Sequence, residues 1–395
     1  MLTPIQLDLI KATTPVVAAN AAAITETFYP LMFEAHPEVR AVFNQSHQRS
    51  GAQPQALANA IIAYAANIDR LGALGPAVKS IVEKHVSLNI TPDQYKIVGE
   101  CLMAAIGQVL GEAVTPEIAN AWEAAYWQLA NILIDAEETE YASNESRPGG
   151  WRGPRSFRVV RKIPESSVIT SFHLAPVDGM SVLEYRAGQY LGLKLTIDGQ
   201  TVHRNYSLSA PSNGKFYRIS VKREPHGLAS NHLHDRVNVG DEIELYPPAG
   251  EFVLRNDDSD LLLISGGVGQ TPMIPMLEQG LNAGRRIAYL HAALNSAVHA
   301  FRNHVDALAR KHNNLYRVYC YSDPLRGDDC EATGFLTDTL LDRLLAGSGT
   351  VDAYVVGPRP LMDLAVSGLR RLGVPADRIN YEFFGPKEPL ALDAS

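Results

Sequence analysis

The spacing of apolar and polar residues changes character twice along the 395-residue chain. Over the first 140 residues apolar side chains recur at steps of three and four, as in Ile24, Phe28, Leu31 and Met32. That is the period of a helix with one buried face. Thr3-Pro4, Thr14-Pro15 and Thr91-Pro92 each put a hydroxyl cap before a proline at the first helical position, and so predict helix starts. Thr91-Pro92-Asp93-Gln94 is also a capping-box pattern. No strand-like alternation interrupts this part, and an all-α domain is predicted for residues 1–140. A Gly-rich linker over 141–151, containing Arg147-Pro148-Gly149-Gly150-Trp151, then marks a boundary. Beyond it the period shortens to two, in runs such as 157–160, 168–174 and 217–221. Asp198-Gly199 and Asn213-Gly214 between such runs predict hairpin turns. An antiparallel β-barrel is therefore expected over 152–255. In the remainder, 256–395, the buried-strand runs 260–264, 287–291, 316–321 and 353–356 alternate with helical stretches. That alternation predicts a doubly wound parallel sheet.

Charge sharpens this division. Lys and Arg number 35 against 43 Asp and Glu, net −8, so no nucleic-acid partner is expected. Residues 1–140 hold 7 basic and 15 acidic side chains, and the rest of the chain 28 of each. Within that neutral remainder 151–255 has 14 basic and 10 acidic residues, which suits an anion-binding surface. No apolar run reaches the ~20 residues of a membrane span. The amino terminus lacks a basic segment, and Asn20 and Glu26 interrupt its Ala-rich stretch, so no signal peptide is expected. Cys101, Cys320 and Cys330 are few and lack CxxC spacing; they read as free thiols in a reducing cytoplasm.

Four polar residues fall on apolar helical stripes. Gln53 shares one with Leu57, Ile61 and Tyr64, and His85 one with Ile81, Val82 and Leu88. Tyr95 shares one with Val98 and Leu102, and Glu137 one with Tyr126, Ala130 and Leu133. A carboxylate facing a core is costly unless it is paired or hydrogen-bonded. Any one of the four alone reads as a separately satisfied core group; together they suggest a shared constellation. Of the three histidines here, His36 precedes a proline and His47 lies in a polar loop. Only His85 sits at mid-helix among apolar neighbours. One inward His is too few for a structural zinc site but enough for a haem iron.

Phe28-Tyr29, His36-Pro37-Glu38, Phe43-Asn44, Gln53-Pro54-Gln55-Ala56-Leu57, Glu83-Lys84-His85 and Tyr95-Lys96-Ile97-Val98-Gly99-Glu100 resemble, in order, the globin domain of the bacterial flavohaemoglobins. The resemblance implies that His85 is the proximal ligand of a haem b and that Phe43 packs on the porphyrin. It puts Tyr29, Gln53 and Leu57 in the distal pocket, and Tyr95 and Glu137 in a relay behind His85. A Tyr hydroxyl and a Gln amide suit a diatomic ligand that takes on negative charge, and a carboxylate on the far ring nitrogen makes the imidazole more electron-donating.

Gly188-Gln189-Tyr190, followed by Arg204-Asn205-Tyr206-Ser207, resembles the flavin signature of the ferredoxin–NADP reductase superfamily. The resemblance implies a six-stranded barrel binding FAD. Arg204 would meet the pyrophosphate, Tyr206 the isoalloxazine and Ser207 the ring edge, with Tyr190 and Asn205 also binding the cofactor. Asn205 stands where close relatives often have Gln. Gly267, Val268, Gly269, Gln270, Thr271 and Pro272 after a strand let a backbone approach a phosphate at a helix start. With Val356-Gly357-Pro358 and the near-terminal Glu382, Phe383, Phe384, Gly385 and Pro386, they resemble that superfamily's nicotinamide site, where Phe384 would cover the flavin. Val356 stands where relatives often carry Cys, which puts a thiol role in doubt. Lys84 and Glu382 are expected near the haem–flavin junction. His232 and His234, without a second ligand pair, read as exposed residues, and Arg285-Arg286 as solvated surface.

The function expected is an NAD(P)H-dependent nitric oxide dioxygenase, a monomer of three domains using haem, FAD and NAD(P)H. Its partners would be dioxygen, nitric oxide and the dinucleotide. Whether a hydrophobic ligand fills the distal pocket is left open. Two alternatives stand beside it: an oxygen-binding or sensing globin with its own reductase, and a flavin or ferric reductase without haem.

Overall fold

The computed structural model describes residues 2–42 and 52–384. The chain forms two compact units, 1–146 with 198–203, and 147–197 with 204–395. The first holds α1 (Pro4–Ala19), α2 (Ala21–Ala35), α3 (Ala52–Ala66), α4 (Gly75–Val86), α5 (Pro92–Leu110) and α6 (Pro116–Ser146). Two of the expected starts are made as capping boxes. The Thr3 N–H donates to Gln6 Oε1 at 2.9 Å, and the Thr91 N–H to Gln94 Oε1 at 2.9 Å. Thr14-Pro15 is not a start, because α1 runs through Pro15. The Thr13 and Thr14 hydroxyls turn back instead, donating to the Leu9 and Ile10 carbonyls at 2.7 Å each. A proline inside a helix costs roughly 3 kcal/mol. Burying Ile10 and Val17 on either side of it returns about 1.5–3 kcal/mol each. The last helix, α6, runs on past residue 140.

These helices enclose two apolar clusters. Ile10, Phe28, Met32, Ile106 and Trp122 build the larger; Val82, Val86, Tyr95, Leu133 and Tyr141 build the smaller.

The antiparallel sheet contains β1 (Arg155–Pro164), β2 (Ile169–Pro176), β3 (Tyr190–Ile197), β4 (Gln200–Ser207), β5 (Tyr217–Lys222) and β6 (Glu242–Leu245), in the order β4-β3-β6-β1-β2-β5. Asp198 and Gly199 have φ of 51° and 77°, the paired positive values of a two-residue I′ hairpin. Asn213-Gly214 does turn the chain, with Asn213 Oδ1 accepting from the Lys215 and Phe216 N–H groups. It is a long-looped hairpin rather than a two-residue one: β4 and β5, the two ends of the ladder, meet antiparallel through the Leu208–Ile219 bridge, with the Ser209 N–H donating to the Arg218 carbonyl at 2.8 Å, and this closes the sheet on itself. Between β5 and β6 lies the short helix α7 (Leu228–Asp235).

The parallel sheet, β10-β9-β8-β7-β11-β12, is built from β7 (Asp260–Gly266), β8 (Ile287–Ala293), β9 (Leu315–Tyr321), β10 (Ala332–Thr333), β11 (Val351–Val356) and β12 (Ile379–Tyr381). Leu261 and Leu263 of β7 pack under α8 (Met273–Asn282) and α9 (Arg302–Lys311). Leu262 and Ile264 pack under α10 (Asp338–Leu345) and α11 (Arg359–Arg371). A strand covered on both faces has to be apolar throughout, which is why 260–264 reads as an unbroken run. Strand order reverses between β7 and β11, and ligands of such sheets bind at that crevice.

Three expectations are corrected. Arg285 is not solvated; it is 6% exposed and lies 3.2 Å from Asp257 and 3.5 Å from the fully buried Asp352, which Arg378 also reaches at 2.9 Å. Burial pushes the Asp352 carboxyl up, and these guanidinium groups pull it back. His232 and His234 are half-buried rather than exposed, and His234 Nε2 lies 2.9 Å from the Val221 carbonyl. Among the described residues no cluster of His, Cys, Asp and Glu could hold a metal ion. His85 is not at mid-helix but in the last turn of α4. The three cysteines are unpaired, and no single described helix is long and apolar enough to cross a membrane.

Candidate functional site

His85 is carried at the point where α4 stops. Asn89, at φ 54°, takes the left-handed conformation that ends the helix, and the Leu88 and Ile90 N–H groups both return to the His85 carbonyl at 3.0 Å. On α6, Glu137 and Tyr141 lie one turn apart, facing this corner. Glu137 Oε1 lies 2.7 Å from His85 Nδ1 and accepts the Tyr95 hydroxyl at 2.5 Å; Tyr95 Oη is itself 2.9 Å from Nδ1. Glu137 is 3% exposed and Tyr95 7%, so these bonds carry the cost of burying the carboxylate. Burial and the neighbouring Glu137 push the Tyr95 hydroxyl far above its ordinary range, so it remains a donor. The geometry also fixes the ring: with Nδ1 committed as a donor to the carboxylate, Nε2 is the acceptor nitrogen. Among the described residues Nε2 makes no hydrogen bond, which is what a ligand to an iron requires.

Two residues not singled out in the sequence for this role complete the arrangement. The Tyr126 hydroxyl donates to the Tyr95 carbonyl at 2.5 Å, and its ring fits because residue 99 is Gly: a Cβ there would stand 2.5 Å from it. The Tyr141 hydroxyl donates to the Ile90 carbonyl at 3.0 Å and tethers the turn after His85. The signal for Tyr141 was present, four residues after Glu137 on the same stripe.

On the other cluster, Tyr29 is 6% exposed on α2, with its ring 4.8 Å from Phe28 and 5.9 Å from Phe33. Leu57 of α3 packs partly buried against the same core. Gln53 falls on α3, but its side chain lies outside the described residues, as does Phe43 altogether.

In the barrel, Gly188 has φ 106°, and a Cβ there would collide with the Phe252 carbonyl. Gln189 then braces the turn, its Oε1 accepting the Arg186 N–H at 3.0 Å. Tyr190 opens β3, and its ring stands where a Cβ on Gly250 would come within 2.8 Å. Arg204 and Tyr206 share one face of β4, Asn205 and Ser207 the other. Asn205 is exposed and Ser207 buried. Burial pushes Tyr206 up to about 12 and lowers Arg204. An incompletely solvated guanidinium beside an aromatic ring is a fitting seat for a pyrophosphate and a flat ring system.

At the crevice of the parallel sheet, Gly267, Val268, Gly269 and Gln270 form a single 3₁₀ turn between β7 and α8, with Gly267 at φ 54°. Thr271 folds back on it, donating its hydroxyl to the Val268 carbonyl at 3.0 Å, and Pro272 leads into α8. A Cβ on Gly269 would collide with the Val356 carbonyl, and one on Gly266 would stand 2.8 Å from Pro358. The glycines thus let the turn after β7 and the turn after β11 touch, leaving bare backbone at the switch point. Glu382 and Phe383 follow β12; the Glu382 N–H donates to the Val355 carbonyl at 3.3 Å, and Phe383 packs on the α11 side of the sheet. Phe384 is 50% exposed, while Gly385 and Pro386 lie outside the described residues. Lys84 is exposed on the last turn of α4.

Three family models match the chain: globin over residues 26–133, oxidoreductase FAD-binding domain over 156–254, and oxidoreductase NAD-binding domain over 263–367. They define an oxidoreductase in which a globin is joined to a flavin- and nicotinamide-binding module. Full-length relatives make the assignment narrower. A flavohemoprotein of Pseudomonas aeruginosa is 51% identical over 395 residues, covering all of both chains. One of Pseudomonas putida is 51% identical over 391 residues, covering 99% of this chain and 100% of its own. The chain belongs to the flavohemoprotein family. Its fold agrees with a flavohemoglobin of Malassezia yamatoensis solved with bound FAD and heme, at a TM-score of 0.85 and 28% identity over 97% of this chain and 100% of that one. The FAD/NAD-binding domain of a nitric oxide dioxygenase from Vibrio cholerae matches 60% of this chain and 100% of its own, at a TM-score of 0.54 and 38% identity.

Proposed function

We propose that this protein uses NAD(P)H to convert nitric oxide and dioxygen to nitrate, and so detoxifies nitric oxide. The observation that carries the reading is the buried Glu137–Tyr95–His85 arrangement. Reversible oxygen storage asks only for a neutral proximal imidazole, whereas a carboxylate at 2.7 Å from Nδ1 makes the ring a stronger donor. The nitric oxide dioxygenase of Vibrio cholerae, which shares the reductase half, supports the same activity.

Bound in these seats, NAD(P)H would supply the hydride, FAD the conversion from two electrons to one, and haem the iron for the gas chemistry. The residues of the chain set the conditions. His85 Nε2 presents a lone pair to the iron; Glu137 holds the Nδ1 proton; Tyr95, kept protonated, donates to the same Glu137 oxygen. Tyr29, Gln53 and Leu57 would line the gas side, the first two as hydrogen-bond donors, and Phe43 would pack on the porphyrin. Tyr206 and Ser207 would seat the isoalloxazine and Arg204 the pyrophosphate, with Tyr190 and Asn205 also among the FAD-binding residues. The turn 267–272 takes the dinucleotide phosphates. Phe384 would cover the flavin, with Phe383, Gly385 and Pro386 beside it in sequence, and Lys84 and Glu382 would tune the cofactor potentials. Three domains, 1–140, 152–255 and 256–395, each seat one cofactor; of the linker 141–151 between the first two, residues 141–146 continue α6. The protein works as a cytoplasmic monomer.

The deciding experiment adds nitric oxide to the oxygenated holoprotein and follows nitrate formation with NADH consumption, alongside an absorption spectrum. Rapid nitrate formation supports the reading. An oxygenated protein that makes no nitrate would be an oxygen-binding globin, and a flavin band without a haem band would mark a flavin reductase.

A further inference from the structure

Beneath the nicotinamide turn runs a chain of buried polar side chains, of which the roles above employ only Gln270, as a member of the turn itself. Gln270 ends the turn and is 1% exposed. Its Nε2 donates to the Tyr289 hydroxyl at 2.7 Å and lies 3.5 Å from His299 Nε2. Its Oε1 has no partner among the described residues, so Tyr289 and His299 are what hold the side chain. His299 is 3% exposed, and its Nδ1 lies 2.8 Å from the Tyr321 hydroxyl at the end of β9. Arg302 donates to that hydroxyl at 3.2 Å and to the Asp329 carbonyl at 2.7 Å. The ring of His291 packs on that of His299, centroids 4.3 Å apart, and its Nδ1 lies 2.9 Å from Ser265 Oγ, just ahead of the glycines.

Whichever way the Gln270 amide is turned, one nitrogen of the His299 ring meets Gln270 and the other meets Tyr321. The imidazole therefore ties the turn after β7 to the end of β9. Burial, with His291, Arg302 and Arg317 nearby, holds His299 far below its ordinary range, and His291 is lowered to about 3. Among the described residues, the hydrogen-bond partners of the two rings are hydroxyls and an amide, with no carboxylate. A neutral ring of this kind moves no charge; it can only fix geometry.

We propose that His299 is a positioning residue for dinucleotide binding, holding the turn 267–270 in its binding shape through Gln270 while Tyr321 anchors it from behind. The proposal rests on the assignment of this turn to NAD(P)H, not on the nitric oxide reading. A four-residue turn that contains Gly267 and Gly269 and follows Gly266 has little stiffness of its own. Loosening it should spread the backbone N–H groups over several conformations before the phosphates arrive, which weakens binding and leaves the hydride step alone.

The test is anaerobic reduction of the flavin by NADH in the full-length holoprotein, without nitric oxide, so its outcome is independent of whether nitrate is made. His299→Leu should raise the half-saturating NADH concentration about 10-fold, the effect of leaving buried hydrogen-bonding groups unpaired. The limiting reduction rate should stay within about twofold of wild type. His299→Gln, which keeps a neutral side chain able to hydrogen-bond, should restore most of the affinity, and Tyr321→Phe should raise half-saturation about threefold. Wild-type half-saturation in His299→Leu, a fall in limiting rate alone, or equal impairment in His299→Leu and His299→Gln would each overturn the proposal. Should His299→Leu fail to fold, Tyr321→Phe decides it: that change removes one oxygen, and an unmoved half-saturation rejects the role.

Discussion

Replacing Glu137 by Gln tests the proximal arrangement at its centre. Both bonds in that corner end on one oxygen, Glu137 Oε1, at 2.7 Å from His85 Nδ1 and 2.5 Å from the Tyr95 hydroxyl. A glutamine can put its carbonyl oxygen in the same place and accept both, so shape is kept while the negative charge is lost. Hydrogen bonds to charged groups are worth about 1.5–3 kcal/mol against 0.5–1.5 for neutral ones, so the change removes roughly 1–1.5 kcal/mol from the His85 bond. That bond is stronger when the iron is ferric, because the imidazole then gives up more electron density. Its weakening should destabilise the ferric state and raise the haem midpoint potential. At 59 mV per tenfold in a one-electron couple, the rise is at most about 45–65 mV, reached if the whole loss falls on the ferric state. Spectroelectrochemical titration of the holoprotein reads haem and flavin separately in one experiment. A haem shift smaller than about 10 mV, or a downward one, would refute the reasoning. So would an equal shift at the flavin, since that would report a general change rather than one at His85.

Three further outcomes are expected. Tyr29→Phe should speed oxygen release about tenfold or more, measured by stopped flow, and an unchanged rate would remove Tyr29 from the distal role. Gly250→Ala puts a methyl within 2.8 Å of the Tyr190 ring at a φ of 115°; the purified protein should carry much less FAD per chain, and full flavin content would show that Tyr190 can shift without cost. Third, the buried histidines make the reductase part acid-sensitive. His291 is lowered to about 3 in the fold against 6.5 unfolded, so it must stay neutral to fold. Its contribution is complete above about pH 6.5 and is lost as pH falls below it, at about 1.4 kcal/mol per pH unit, with His299 adding a similar slope. Urea midpoints followed by FAD release should drop clearly from pH 7 to pH 5. A His291→Gln, His299→Gln double variant that keeps the same slope would count against this source.

The proximal constellation was legible in part: helical period puts Gln53, His85, Tyr95 and Glu137 on inward faces, and the structure joins the last three, while the side chain of Gln53 lies outside the described residues. The hairpin at Asp198-Gly199 was legible for a similar reason: both residues tolerate positive φ. Failures came where a local signal has two uses. Thr14-Pro15 has the form of a helix start, yet hydroxyls that bond backwards and a buried face on either side carry α1 straight through. Arg285 looks like surface from its neighbours in sequence; its partners Asp257 and Asp352 lie 28 and 67 positions away and only the sheet unites them. His291, His299 and Tyr321 were invisible as a group for the same reason, since they come from β8, the connection after it and the end of β9, and none falls in a motif.

Comparing the two histidine centres shows how surroundings decide what the same ring does. His85 and His299 each have one nitrogen in a short bond to a buried partner and the other turned toward a functional element. At His85 the partner is a carboxylate, with a tyrosine hydroxyl on the same oxygen, so electron density on the ring depends on a formal charge 2.7 Å away. At His299 the partners are a phenol and an amide, and the nearby charges are cations that oppose protonation. The first arrangement can be tuned by a single change of charge with the shape preserved, which is what a redox centre needs. The second gives nothing to tune and responds to loss of shape alone. Glu137→Gln should therefore move a potential while leaving NADH binding intact. His299→Leu should weaken NADH binding while leaving the haem potential where it was.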